Sequence, residues 1–211
     1  MKKFIVLLVS MFFMVSAASN AQSTALTSSQ KKEISKKVKE FKKQGWILFG
    51  STRTLEGALT SHYEKMNALG ENGTEIVGVA SVTDSKHKNL LKQNAIANVC
   101  NEYAAKSGRH VRGRSVSDIG LTDAEKSEFE HFYAAYESQV DKEIKGELKE
   151  SFSVIKDVNR KQIDIQVYFI IDEDAEMKAR IRAFENAKKE SEVAQKYANQ
   201  LSKFIREGIE D

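Results

Sequence analysis

The chain has 211 residues, 41% hydrophobic and 30% charged, which is apolar material enough for one folded body, while a net charge of only +3 gives no argument for a nucleic-acid partner. Lys2 and Lys3 hold two of those charges, so the rest of the chain carries +1. A single cysteine excludes a disulfide framework, and the absence of proline removes the commonest helix breaker.

Residues 1–21 have the three parts of a secretory signal: Lys2 and Lys3, the apolar run FIVLLVSMFFMV, and small residues with Ser19 and Ala21 placed for cleavage before Gln22. A signal peptide predicts an exported protein, periplasmic or secreted. The sole cysteine, Cys100, is far from the cleavage site. No lipid anchor and no stable membrane insertion after cleavage are therefore expected. Residues 22–29 are small and polar and read as a disordered leader, and no linker divides residues 30–211, which are expected to form a single α+β domain.

From Gln30 to Gln44, Ile34, Val38 and Phe41 share a helix face amid seven lysines and two glutamates, a local charge of +5. Such a face suits anionic lipid or polysaccharide; the plainer reading is a solvated helix with a narrow apolar stripe. Gly45 ends this helix, and Trp46 to Gly50 reads as a short strand with Trp46 as a core or hinge anchor rather than a sugar platform. Thr54 caps a second helix through Leu69, and a turn over Gly70–Gly73 leads to the strand EIVGVASV, whose small residues predict close packing by a helix.

A third helix is expected from Lys86 to Ser107, presenting Leu91, Ala95, Val99 and Tyr103. Gly108 is expected to end it, with RHVRGRSVSD following as a strand that carries His110, Arg112 and Arg114 on one face. Thr122 and Glu125 form a capping box for a fourth helix running to about Lys145, with Phe129, Phe132, Tyr133, Tyr136, Val140 and Ile144 on its core side.

The most strongly patterned stretch runs from Glu147 to Ile205. ELKESFSVIKD and QIDIQVYFIID predict a hairpin turning at residues 158–161, and Ile163, Ile165, Val167, Phe169 and Ile171 alternate as in a central strand. Asp172 then caps a helix that keeps apolar spacing from Met177 to Ile205. Unbroken, it would be about 50 Å long and either span the whole body or project beyond it, and its small residues would admit another element or a second copy. The fold class is thus α+β: an antiparallel or mixed sheet covered by long helices, with a long C-terminal helix.

The enzyme motifs are missing. His62, His87, His110 and His131 lack metal-ligand spacing, and Asp172, Glu173 and Asp174 fit helix capping better than a calcium loop. There is no nucleophile elbow, phosphate-binding loop or dinucleotide fingerprint, so no cofactor is implied. Cys100, in mid-helix on an apolar stripe, reads as a buried structural thiol. One candidate binding site remains. His110, Arg112 and Arg114 in a row would grip a carboxylate, phosphate or acidic glycan, against a plainer reading as a charged sheet face.

The blocks Gly45-Trp46, LEGALTSHYEKMN, AIANVCNEYA, FYAAYESQVDKEIKGELKESFSV and ARIRAFENAKKESEVAQKYANQLSKFI resemble an uncharacterised family of secreted Bacteroidetes proteins over nearly the whole mature chain. The order of elements is more distantly similar to the small-lipoprotein domain of Helicobacter envelope antigens and to the N-terminal domain of a flagellar-ring-associated protein. The resemblance implies a non-catalytic envelope role, and the overlong C-terminal helix, with no catalytic set beside it, predicts association with an envelope protein or a homo-oligomer through helix surfaces. The alternative is a small anionic-ligand or acidic-glycan binding module.

Overall fold

The structure, a computed structural model, describes residues 25–83, 88–158, 162–207 and 209. The expected signal peptide, the first residues of the leader, His87 and most of the hairpin turn lie outside the described residues.

Helix α1 (Ser28–Lys43) starts two residues before its expected position, because Thr27 and Gln30 form a capping box: Gln30 N donates to Thr27 Oγ1 at 3.2 Å and Thr27 N to Gln30 Oε1 at 3.0 Å. Ser28 and Ser29, read as leader, are its first turn. Gly45, at φ +79°, reverses the chain and delivers the buried Trp46 to the core, followed by the two-residue strand β1 (Ile47–Leu48). Thr54 caps α2 (Leu55–Leu69), accepting from Gly57 N at 3.0 Å. After a 3₁₀ turn over Gly70–Asn72 comes β2 (Gly73–Val82).

The largest departure follows. Helix α3 (Lys88–Asp118) does not stop at Gly108 but runs on through the stretch expected as a strand. The reason is its buried face: Cys100, Tyr103, Ala104, Ser107, Gly108, Val111 and Ser115 recur at helical spacing and are all covered. Small residues there permit close contact with α4 (Asp123–Glu147), whose Glu137 side chain fills the space where a Gly108 side chain would lie. Ser107 and Tyr136 share a hydrogen bond of 2.8 Å across that interface. Thr122 and Glu125 cap α4 reciprocally, and its six core-side residues are buried.

The hairpin is β3 (Lys149–Asp157) and β4 (Ile163–Asp172). The sheet is antiparallel throughout, in the order β1-β3-β4-β2, so the hairpin forms its centre. Ile163, Ile165, Val167, Phe169 and Ile171 are each at most 3% exposed. Burial of such side chains contributes about 1.5–3 kcal/mol apiece.

Two helical layers sandwich this sheet. On one face α1 and α2 enclose Ile34, Val38, Trp46, Leu59, Phe152 and Val154. On the other, Leu91, Ala95 and Val99 of α3 lie on Ile155, Ile165 and Val167, with α4 behind.

The C-terminal segment is helical but folded back rather than straight. Asp172 caps α5 (Glu173–Ala187), a 3₁₀ turn occupies Lys188–Glu190, and α6 (Glu192–Lys196) and α7 (Ala198–Arg206) follow. The break lies at Ser191, extended at φ −135° and ψ 117°, whose hydroxyl accepts from Ala194 N and donates to Glu128 Oε1. Glu128 also accepts from Val193 N, while Glu125 accepts from Lys196 and Tyr197, so the first turns of α4 hold the kink. Leu201, Phe204 and Ile205 of α7 are thereby buried in the α3–α4–α5 core. No helix among the described residues is long and apolar enough to cross a membrane.

Candidate functional site

His110, Arg112 and Arg114 lie on α3, not on a strand, and do not converge. A helix turns about 100° per residue, so Arg112 points away from the other two. His110 and Arg114 reach α7: His110 Nε2 is 3.2 Å from Phe204 O, and Arg114 Nη2 is 2.9 Å from Asp118 and 3.2 Å from Glu207, with its guanidinium over the Phe204 ring. Arg112 turns to α4, pairing with Glu130 at 2.5 Å and lying over Tyr133. Both arginines are already matched by carboxylates. The expected anion grip becomes two separate ties between helices.

A buried polar cluster that the sequence did not reveal sits between α3 and α5. Arg180 is 3% exposed. Its Nη1 donates to the Tyr103 hydroxyl at 2.6 Å and lies 3.5 Å from Glu176 Oε2, and its Nε donates to Ile205 O at 3.1 Å. The Tyr103 hydroxyl in turn donates to Glu176 Oε2 at 3.0 Å. Burial pushes the Tyr103 phenol well up, against the opposing pull of Arg180, so it stays protonated and able to donate. The signal in the sequence is an arginine on the same α5 face as Ala183 and Ala187, four residues after Glu176.

A second polar pair joins the buried His62 of α2 to the partly exposed Glu75 of β2, with Nε2 and Oε2 2.6 Å apart. His62 is 3% exposed and packs edge-on against Phe152 and Tyr168. Burial pushes the Glu75 carboxyl up, but the His62 hydrogen bond and charge, aided by Lys37, hold it below its usual range. Cys100 is buried, and burial, with the charge of Asp141, pushes its thiol up to about 11, the reverse of an activated nucleophile. Trp46 is buried as well, with its indole donating to Gln44 Oε1 at 3.1 Å and Lys156 above the ring. No three His, Cys, Asp or Glu side chains gather as metal ligands among the described residues.

The sheet edges differ sharply. β1 is two residues long. β2 is ten, paired residue for residue with β4 and without a bulge, and is the last strand on its side among the described residues. Its sequence GTEIVGVASV contains no lysine, and Glu75 is its one charged residue. Asn98 of α3 donates to Val79 O at 2.9 Å, and the Val79 side chain is 55% exposed. Short strands, lysines, prolines and bulges are the usual protections of an edge. β2 has none of them.

Comparison with protein-family models, with curated proteins and with solved structures gives no match to this chain. Its function is argued from its own residues.

Proposed function

We propose that the protein is an exported, non-enzymatic protein of the cell envelope that works by associating with another protein or with its own copy, through the outer edge of β2. The observation that carries this reading is the ten-residue strand, long, unbulged and without lysine or proline, with its own Val79 exposed. An extended segment, or β2 of a second copy, would add to that edge by main-chain hydrogen bonds. The leader-like residues 1–21 support the location. The inward commitment of Arg180, and the carboxylates facing Arg112 and Arg114, leave the sheet edge as the better candidate for contact.

The test is the mass of the purified protein in solution by light scattering, together with crosslinking in the producing cells. A dimer or a discrete envelope adduct is expected, weakened by Val79→Lys, which places a charge on the edge without touching the core. A protein that stays monomeric at high concentration and captures no partner overturns the reading, as does an adduct that Val79→Lys leaves unchanged.

A further inference from the structure

The lysines of α1 are divided by the fold into two groups. Lys37 lies on the flank toward α2, paired with Glu33 at 3.6 Å and set over the Tyr63 ring. The other six, Lys31, Lys32, Lys36, Lys39, Lys42 and Lys43, are exposed, against one exposed acid, Glu40. Lys36 reaches Glu40 at 4.0 Å, and the remaining five enter no ion pair among the described residues. Other surface cations are paired across elements, as Arg112 is with Glu130 and Arg182 with Glu143 and Glu147. The charge of the chain is polarised accordingly: α1 holds +5 and Lys2 and Lys3 hold +2 of a total of +3, so the remainder carries −4.

We infer that this lysine face docks the folded protein on an anionic lipid bilayer, as a peripheral electrostatic contact distinct from the β2 edge. Shape favours a surface over a small ion. Lys32, Lys36, Lys39 and Lys43 form a convex row about 16 Å long at 1.5 Å per residue, and the dip beside Ser35 is open to solvent. A convex row cannot enclose a phosphate, but it can lie along a plane of them. A body of opposite net charge then turns the lysine face toward the anionic plane. Insertion is excluded by the packing, because Ile34 and Val38, the apolar residues an inserting helix would bury in lipid, are in the core with Trp46.

The experiment is co-sedimentation of the protein recovered from producing cells with vesicles of phosphatidylcholine alone or with one third phosphatidylglycerol. Binding to the anionic vesicles only is expected, lost in high salt, with Trp46 emission unchanged because the core stays closed. Each lysine removed from the face should weaken partitioning roughly fivefold, so Lys32, Lys36, Lys39 and Lys43 all replaced by Gln should abolish it. Replacing Lys142, Lys145, Lys149 and Lys189 by Gln removes the same charge elsewhere and should leave most of the binding. Circular dichroism establishes that both variants are folded. Equal loss in the two variants, equal binding to neutral vesicles, or a shift in Trp46 emission overturns the inference. So does binding to dextran sulfate or duplex DNA as tight as to vesicles, which would make the face a general polyanion contact.

Discussion

The Arg180 guanidinium donates to the Tyr103 hydroxyl at 2.6 Å, in a region where both side chains are at most 8% exposed. Because Arg180 Nε also donates to Ile205 O, one side chain joins α3, α5 and the folded-back α7. A buried cation is tolerated only when its donors are used, so the cost of losing it is set by what stays behind.

Arg180→Ala should therefore destabilise the protein by about 3–5 kcal/mol, since it leaves Glu176 and the Tyr103 hydroxyl without their shared partner. Tyr103→Phe removes a single hydroxyl and should cost about 1–2 kcal/mol. Urea unfolding gives both numbers, and hydrogen exchange in Arg180→Ala should rise first over Ala198–Arg206. Equal, small losses for the two variants would mean that Arg180 does not hold α7.

The His62–Glu75 pair predicts an acid dependence. Glu75 is held below its usual carboxylate value in the folded state, so its contribution to stability is fully present above the unfolded value and is lost as pH falls through the folded one. Its side chain is 34% exposed, and solvent screening limits the effect to about 1 kcal/mol. Unfolding midpoints should decline as pH drops below 4.5, and Glu75→Gln should flatten that decline while leaving the fold intact. An unchanged slope in Glu75→Gln would assign the acid sensitivity to other carboxylates.

The sequence reveals those elements whose signals are local. The alternation of Ile163, Ile165 and Val167, the reciprocal cap of Thr122 and Glu125, and the Thr54 cap all depend on neighbours within a few residues, and all stand in the structure. The two departures depend on distant residues. Gly108 has the look of a helix stop, yet α4 covers it together with Ser107, and burial of a small-residue face outweighs the local signal. Ser191 reads as one more small position on a long helix, but Glu128, 63 residues earlier, takes its hydroxyl and the Val193 amide and makes it a cap. The candidate grip failed for the same reason. Reading Gly108 as a stop put His110, Arg112 and Arg114 on alternate positions of a strand, where they would align; on a helix they part toward α7 and α4. Arg180 is of the same kind: nothing within its own helix announces Tyr103, 77 residues away.

Cys100 should behave as an inert thiol. Burial and the neighbouring Asp141 raise it to about 11, so the fraction present as thiolate near neutral pH is very small, and the side chain is 1% exposed. An aromatic disulfide reagent at pH 8 should titrate less than a tenth of the protein in minutes and all of it in denaturant. Cys100→Ser, which puts a hydroxyl into the apolar core on the α4 side of α3, should cost about 1–3 kcal/mol. Rapid labelling of the native protein would show that α3 opens locally at this point.

Helix α3 lies close against the sheet at Gly78 in β2, where an added Cβ would lie 2.5 Å from Ala95 O and 2.7 Å from Val99 Cγ2. The first contact is with helix backbone, which cannot rotate away as a side-chain tip can, so α3 or β2 must shift as a unit. Gly78→Ala should cost about 1–3 kcal/mol, and Gly78→Val more, despite the higher strand propensity of both replacements. The displacement should also lengthen the Asn98–Val79 O hydrogen bond, now 2.9 Å, and so loosen the edge assigned to association. Thermal unfolding measures the first effect, and light scattering on the folded fraction measures the second. If Gly78→Ala were as stable as the parent, the strand and helix would have room to spare, and Asn98 rather than Gly78 would fix the distance between them.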